Sequence, residues 1–405
     1  MSAALSYSDP VYPGSGSGLD PAPRLALSRI TLSNFRSYET LRLEPDAGLV
    51  VLTGANGAGK TNLLEALSLL SPGRGLRGAR LADISRQSGD NTPTSQVEWA
   101  VAAEFTTPHG AVSIGVGWAE ADGEHGNRRA VRINGTPASG QTALAEHASM
   151  VWLTPAMDRL FVEAPAGRRR FLDRLVFAFD PAHAGRLQAY DKARRERARL
   201  LREGRSDDSW LGALERSMAE RAVAIAAARL DLIERLKRAI AEETGSFPRP
   251  EIAMRGVIED WLERHPALEV EENYRAALQK SRPEDSDSGS CEGVHRSDLM
   301  ARLSVGGPDA EQASTGEQKA ILISLILAHG RLLARLKGRV PVLLLDEITA
   351  HLDARRRAAL FEAIEDLGAQ AWLTGTDEAL FAPIRQSVQF YSVANGRILK
   401  QVTHG

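Results

Sequence analysis

One short run, Gly54-Ala55-Asn56-Gly57-Ala58-Gly59-Lys60-Thr61, restricts this chain more than any other feature. Before it stands Gly48-Leu-Val-Val-Leu-Thr53, which reads as a buried strand. After it stands Asn62-Leu-Leu-Glu-Ala-Leu-Ser-Leu-Leu70, which reads as a helix. Strand, glycine loop and helix in that order make a phosphate loop. Gly54, Gly57 and Gly59 let the backbone approach phosphate oxygens with positive φ at no steric cost. The loop amides and the positive helix end face an anion. Lys60 then neutralises β- and γ-phosphates, and the Thr61 hydroxyl holds Mg²⁺. The expectation is a nucleoside-triphosphate site for ATP and Mg²⁺, with Ala55, Asn56, Ala58 and Asn62 beside the phosphates.

A second apolar run, Arg339-Val-Pro-Val-Leu-Leu-Leu-Asp346-Glu347, suits a central parallel strand that ends in two carboxylates. Asp346 is placed to reach the metal. Glu347 is placed to polarise an attacking water as general base. Binding and hydrolysis are both expected.

Between these runs lies Ser314-Thr315-Gly316-Glu317-Gln318-Lys319, ahead of an apolar helix. Ser314 and Glu317 have the spacing of a capping box. The same residues resemble the signature of ATP-binding-cassette ATPases. That resemblance implies that Ser314, Gly316 and Gln318 contact the γ-phosphate held by a second subunit. His351-Leu352-Asp353 is similar to the D-loop of the same superfamily, which adds Asp353 to the nucleotide contacts. A cassette's Gln loop and switch histidine are not apparent. Ala371-Trp-Leu-Thr374-Gly-Thr376-Asp377 carries threonines where a transporter ATPase has its histidine.

What separates Lys60 from Ser314 narrows the class. No stretch of 18 apolar residues is present, so no membrane-spanning helix is predicted. The 405 residues are too few for the long heptad arms of a chromosome-condensing protein. Leu32-Ser-Asn34-Phe35-Arg36-Ser-Tyr38 and Ser71-Pro-Gly-Arg74-Gly-Leu-Arg77 flank the phosphate loop. Further on come Leu153-Thr-Pro155, Pro165-Ala-Gly-Arg168-Arg169-Arg170-Phe171-Leu172-Asp173 and Gly293-Val-His295-Arg296-Ser-Asp298. From about Leu25 onward the chain resembles the RecF family of bacterial recombinational repair, although Ala156 and Met157 stand where that family is acidic. The resemblance implies an ATPase that dimerises on ATP, acts at gapped or junction DNA, works with RecO and RecR, and hydrolyses ATP slowly. It also brings Arg36 to the nucleotide. Two other classes are a soluble cassette subunit energising a membrane partner and a non-hydrolysing nucleotide-gated scaffold. The first lacks a Gln loop, and Glu347 argues against the second.

The implied fold is α/β: a cassette-type head built from 25–150 and 293–405 around a mostly parallel sheet, with a helical insert at 151–292 and no long coiled coil. Gln96–Phe105 and Ala111–Ala119 read as an antiparallel pair turning at His109-Gly110. Residues 1–24, rich in Pro, Gly and Ser without a basic or apolar leader pattern, read as a disordered tail. A single cysteine, Cys291, fits a reducing cytoplasm. Net charge is −2, so any DNA footprint is local. The segment Arg168 to Arg205 holds 12 Lys or Arg against 5 Asp or Glu, which makes Arg168, Arg169, Arg170, Arg194, Arg195 and Arg199 the candidate DNA contacts. Periodic apolar residues predict one long helix over Ser209–Thr244, packed within the insert, and Ser281–Glu292 reads as a flexible link.

Overall fold

The computed structural model describes residues 25–404, except 47, 87–97, 108–109, 119–128, 205–207, 244, 246, 289–290 and 385–387. The tail expected over 1–24 and the turn residue His109 lie outside the described residues, as do Gln96 and Ala119 at the ends of the expected antiparallel pair.

The chain opens with an antiparallel pair, β1 (Ala26–Phe35) and β2 (Tyr38–Leu43), then enters β3 (Leu49–Thr53) and α1 (Lys60–Ser68). β4 (Trp99–Thr107), β5 (Gly110–Trp118), β6 (Ala130–Ile133) and β7 (Thr136–Pro137) complete an antiparallel sheet in the order β2-β1-β4-β5-β6-β7. β8 (Met150–Leu153) leads to α2 (Pro165–Phe177), α3 (His183–Arg202) and α4 (Asp208–Ala241). Next come β9 (Glu251–Arg255), α5 (Val257–Leu262), α6 (Ala267–Lys280), α7 (Arg282–Ser288) and β10 (Asp298–Arg302), with β9 and β10 paired antiparallel. The chain ends with α8 (Thr315–Lys337), β11 (Val342–Leu345), α9 (Ala354–Leu367), β12 (Ala371–Gly375), β13 (Val388–Ala394) and β14 (Arg397–His404).

The main sheet runs β14-β13-β3-β12-β11-β8, parallel except for the β13–β14 hairpin. Every residue of β3 is buried because both faces of the sheet are covered. Val50 and Leu52 face α1 and the antiparallel sheet, whereas Leu49 and Val51 join α2, α4, α8 and α9 in the other core. Such two-sided burial is why these strands read as continuous apolar runs and not as alternating ones. Each fully buried aliphatic side chain contributes roughly 1.5–3 kcal/mol.

The expected boundary between 150 and 151 cuts through a strand. β8 pairs with β11 in the head sheet, Met150 opposite Val342 and Leu153 opposite Leu345. The other expected boundary, at 292/293, separates β9 from its partner β10. The apolar stripe of α4 is likewise divided. Met218, Ala222 and Ile225 pack with Tyr190, Val270 and Tyr274 inside the insert, but Leu232, Leu236 and Ile240 belong to the head core beside α8. A helix of 34 residues is about 50 Å long, enough to serve two cores. It is the longest helix, and no extended coiled coil is present among the described residues.

The flexible link expected over Ser281–Glu292 contains α7 instead. Asp285 on this helix is buried and pairs with Arg197 of α3 at 2.7 Å, and Arg197 also pairs with buried Glu215 of α4 at 3.0 Å. The long-range guanidinium partner, invisible in local composition, orders the segment.

Buried charges also join insert to head. Asp173 of α2 accepts two hydrogen bonds from Arg229 of α4, at 2.8 and 2.9 Å, and one contact from buried His183 at 2.9 Å. Arg229 further donates to the carbonyl of Val294. Arg168 forks onto Asp298 of β10 at 2.7 and 2.8 Å, and Arg169 donates to the carbonyl of Ser297. Removing one member of such a pair strands the other charge. Arg229→Ala is expected to destabilise the protein by about 3–5 kcal/mol, read as a lowered urea midpoint. Asp173→Ala combined with it should cost clearly less than the sum of the two single changes. Additive losses would show that the pair is not coupled.

Candidate functional site

The phosphate loop joins the buried end of β3 to the first turn of α1, and three of its glycines meet requirements that no side chain satisfies. A Cβ on Gly54 would stand 2.2 Å from the Val393 carbonyl, and Gly54, Gly57 and Gly59 have φ of +143°, +81° and +118°. A buried tyrosine holds the loop from beneath, with Tyr38 Oη donating to the Gly59 carbonyl at 3.0 Å. The β13–β14 turn holds it from the side, through Gly396 N–H donating to Ala58 O at 2.9 Å.

Lys60 lies along this loop, its Nζ donating to the carbonyls of Gly54 at 2.5 Å and Ala55 at 3.0 Å. Burial pulls its pKa below the usual lysine value, partly opposed by the nearby Glu347 and Asp346. The parallel register of β3, β12 and β11 brings the second motif alongside, since each strand ends at the same edge. The Thr61 hydroxyl donates to Asp346, with both carboxylate oxygens at 3.0 Å. A hydroxyl and a buried carboxylate facing each other are hard oxygen donors that fit Mg²⁺, which keeps few protein ligands and takes the rest from phosphate and water. No cluster of three or more His, Cys, Asp or Glu suited to a metal occurs among the described residues.

Thr374, at the end of β12, completes the arrangement. Its hydroxyl donates to Asp346 Oδ1 at 2.8 Å and accepts from the Glu347 N–H at 2.8 Å. Burial raises the Asp346 pKa, and the hydrogen bonds from Thr374 and Thr61 oppose that rise. One threonine thus orients the metal-facing acid and anchors the backbone of the candidate base. Glu347 itself has φ +48°, an unusual value for a residue with a side chain. Its carbonyl accepts from the buried Nζ of Lys319 at 3.0 Å, and Asp158 lies 3.3 Å from the same nitrogen. Burial lowers the Lys319 pKa and raises that of Asp158. A cavity of about 130 Å³ is lined by Asn56, Gly57, Gly59, Lys60, Thr61, Asn62, Arg77 and Glu347.

Other expected contacts lie elsewhere. The Arg36 guanidinium grips buried Glu65 of α1 at 3.0 and 2.8 Å and does not line this cavity. Arg77 shares that carboxylate and also donates to Asn62 Oδ1 at 2.8 Å. Ser314 caps α8 in a full capping box with Glu317. Gln318 is a correction, because it turns inward to the Ala313 carbonyl and is buried. Asp353 caps α9 and is exposed. A Cβ on Gly316 would lie 3.0 Å from His351 O, so signature and D-loop abut in one chain. Neither Ser314 nor Asp353 lines the phosphate-loop cavity.

Of the basic candidates, Arg168 and Arg169 are engaged by Asp298 and the Ser297 carbonyl. Arg170 is exposed. Arg194 lies 3.5 Å from Asp191, Arg195 donates to the Asp191 carbonyl, and Arg199 pairs with Glu196 at 2.6 Å. Together with Lys192 and Arg202, these three form one open basic face of α3. Thr374, Lys319, Asp158 and Tyr38 were missed as site-supporting residues. Only Lys319 carried a local sign, its position directly after the signature.

The nucleotide-type loop, the strand-end acid pair and the capped signature helix on a two-part sheet define an ATPase head of the SMC and ATP-binding-cassette class. The family model described as "RecF/RecN/SMC N terminal domain" matches residues 26–398. The DNA replication and repair protein RecF of Mesorhizobium japonicum is 48% identical over 375 residues, covering 92% of this chain and 97% of that one. Its namesake from Rhizobium johnstonii is 46% identical over 380 residues, covering 93% and 99%. The chain belongs to the RecF family. The fold also matches the solved structure of the recombination mediator protein RecF-ATP in the RecFOR pathway, with TM-score 0.75, 24% identity and coverage of 94% and 100%.

Thr374→Val keeps the volume but removes the hydroxyl that positions Asp346. It should raise the Mg²⁺ concentration needed for half-maximal nucleotide retention about 10- to 100-fold. An unchanged Mg²⁺ titration would mean that Asp346 is oriented without Thr374.

Proposed function

We propose that this protein is an ATP-dependent DNA-binding ATPase of DNA replication and repair, dimerising on ATP and acting at gapped or junction DNA. The observation that carries the reading is a division of the expected parts. Lys60, Thr61 and Glu347 gather at one cavity, whereas Ser314 and Asp353 stand exposed outside it, on segments that abut at Gly316 and His351. A site whose phosphate loop lacks a signature on its own chain is completed by a second copy presenting one.

Each group then has a task. Lys60 leaves the loop carbonyls and neutralises the β- and γ-phosphate oxygens. The loop amides and the N-terminus of α1 supply further positive potential. Thr61 and Asp346 would hold Mg²⁺, which would supply charge neutralisation to the phosphates. Glu347, fixed through its N–H by Thr374 and through its carbonyl by Lys319, accepts the proton of the attacking water. The partner's signature, with Ser314 at a helix N-terminus, closes the γ-phosphate side. Catalysis of this kind is positioning plus electrostatics, and slow turnover suits a timing device. Membership of a family whose members are named for DNA replication and repair supports DNA as partner and the bacterial cytoplasm as location. RecR and RecO are the protein partners the family implies.

Lys60→Ala should abolish tight ATP binding. Glu347→Gln should keep ATP and lose about 10²–10⁴-fold in hydrolysis rate, accumulating dimer on a sizing column; hydrolysis at the normal rate would place the base elsewhere. Ser314→Arg should retain ATP on the monomer but block dimerisation. Mixing Ser314→Arg with Lys60→Ala subunits should restore part of the activity, because each mixed dimer has one intact loop facing one intact signature. No recovery in demonstrated mixed dimers would count against a composite site.

For DNA, the basic face of α3 is the surface we favour. Replacing Arg194, Arg195 and Arg199 by Ala should weaken binding to all sequences alike. Each lost phosphate contact should lower the log-affinity against log-salt slope by about 0.9 on duplex. An unchanged slope would return this face to the role of a solvated surface.

A further inference from the structure

A second cavity, of about 550 Å³, opens at the other end of α1 from the phosphate loop. Leu69, the residue that ends this helix, forms part of its wall, and the two cavities have no lining residue in common. Nine helical residues put roughly 13 Å of helix between the two ends. The second cavity is therefore not an extension of the first.

Its lining is one-sided in charge. Arg74, Arg80 and Arg129 border it, together with Gln141 and Thr142, and among the described residues no carboxylate does. Arg74 and Arg80 are exposed and make no ion pair with any described residue. Arg129 is different, being held from behind and partly buried. Its Nη2 donates to the Ser71 carbonyl at 3.2 Å and to Gln141 Oε1 at 2.8 Å, which fixes the plane of the guanidinium. Its Nε and Nη1 are shielded from solvent and have no hydrogen-bond partner among the described residues.

A shielded guanidinium with two idle N–H groups and no counter-ion is costly, since both desolvation and unmade hydrogen bonds count against it. The two fully buried arginines among the described residues are paired, Arg197 with Glu215 and Asp285 and Arg229 with Asp173. Arg129 has no carboxylate partner among the described residues; Arg174, which also lacks one, lies over the Trp152 and Phe171 rings instead. Burial pushes its pKa down to about 10, so it keeps its charge at neutral pH. A bound anion would offset the uncompensated charge of Arg129, and the exposed planar guanidinium groups of Arg74 and Arg80 match phosphate oxygens two at a time.

We propose that the cavity lined by Arg74, Arg80 and Arg129 is a second phosphate-binding site, specific for the phosphate monoester of a nucleotide or of a strand end. A recess suits a terminal phosphate better than the continuous backbone of a duplex does. Leu69, Ala79 and Leu81 provide an apolar wall for the attached nucleoside.

The test uses full-length protein carrying Lys60→Ala, which removes phosphate-loop binding. Equilibrium dialysis would measure AMP, a 5′-phosphorylated trithymidylate and the same trinucleotide with a 5′-hydroxyl. At least one phosphate-bearing probe should bind, and adding Arg129→Met should weaken it at least about tenfold. Adding Arg74→Ala with Arg80→Ala, both at exposed positions, should also weaken it, and this variant decides the matter if Arg129→Met does not fold. AMP binding with no preference between the oligonucleotides identifies a free nucleotide as ligand; preference for the 5′-phosphorylated strand identifies a strand end. Failure of both phosphate-bearing probes to bind the Lys60→Ala protein would overturn the proposal. So would equal affinity in the parent and a folded arginine variant.

Discussion

The buried pairing of Asp173 with Arg229 is the contact on which the rest of the molecule is hung. It ties α2, the first helix after the head sheet, to the middle of α4, and it lies beside the return of the chain at Val294. Arg168 on Asp298 repeats the connection one turn earlier along α2. Buried charges of this kind add little net stability, but they tolerate few alternative arrangements, because any slip leaves a charge without its partner. With α4 so placed, its C-terminal half packs against α8, and α8 carries the signature at its N-terminus. The insert and the capped N-terminus of α8 are thus connected through one packed path.

The catalytic edge depends on the same economy of polar groups. Asp346 is held between two threonine hydroxyls, one from the phosphate-loop helix and one from the neighbouring strand. Glu347 is held by its backbone alone, from Thr374 on one side and Lys319 on the other, with φ +48°. A left-handed conformation in a residue with a Cβ costs of order 1–3 kcal/mol and persists only where its surroundings impose it. Here two hydrogen bonds impose it, and the carboxylate is left free of the scaffold to face the cavity. Lys319 follows the signature directly, so the residue that steadies the candidate base sits in the first turn of the signature helix.

Much of this was legible along the chain because the signals are local. Strand, glycine loop and helix lie within about twenty consecutive residues, and Ser314 to Glu317 form a capping box on their own. The two blocks most distinctive of the family, Arg168 to Asp173 and His295 to Asp298, were visible as patterns, but their purpose was not. They meet each other across 130 positions, Arg168 with Asp298. Gln318 read as a nucleotide contact by resemblance, yet it is buried and serves the Ala313 carbonyl, and Arg36 pairs with Glu65. Ser281 to Glu292 had the composition of a linker, yet Arg197 recruits Asp285 and makes a helix of it.

The sequence by itself determined the chemistry at each strand end and helix start: a loop only glycine permits, a lysine and a threonine beside it, two acids after an apolar strand. These follow from φ, ψ and hydrogen-bonding rules that act over a few residues. Tertiary structure alone decided which of those groups face one another. Thr61 and Asp346 are 285 positions apart and meet because β3, β12 and β11 run parallel in one sheet and end at one edge. It also decided which arginines are braces and which are free, since a guanidinium's role is set by the carboxylate opposite it, and no local pattern names that partner.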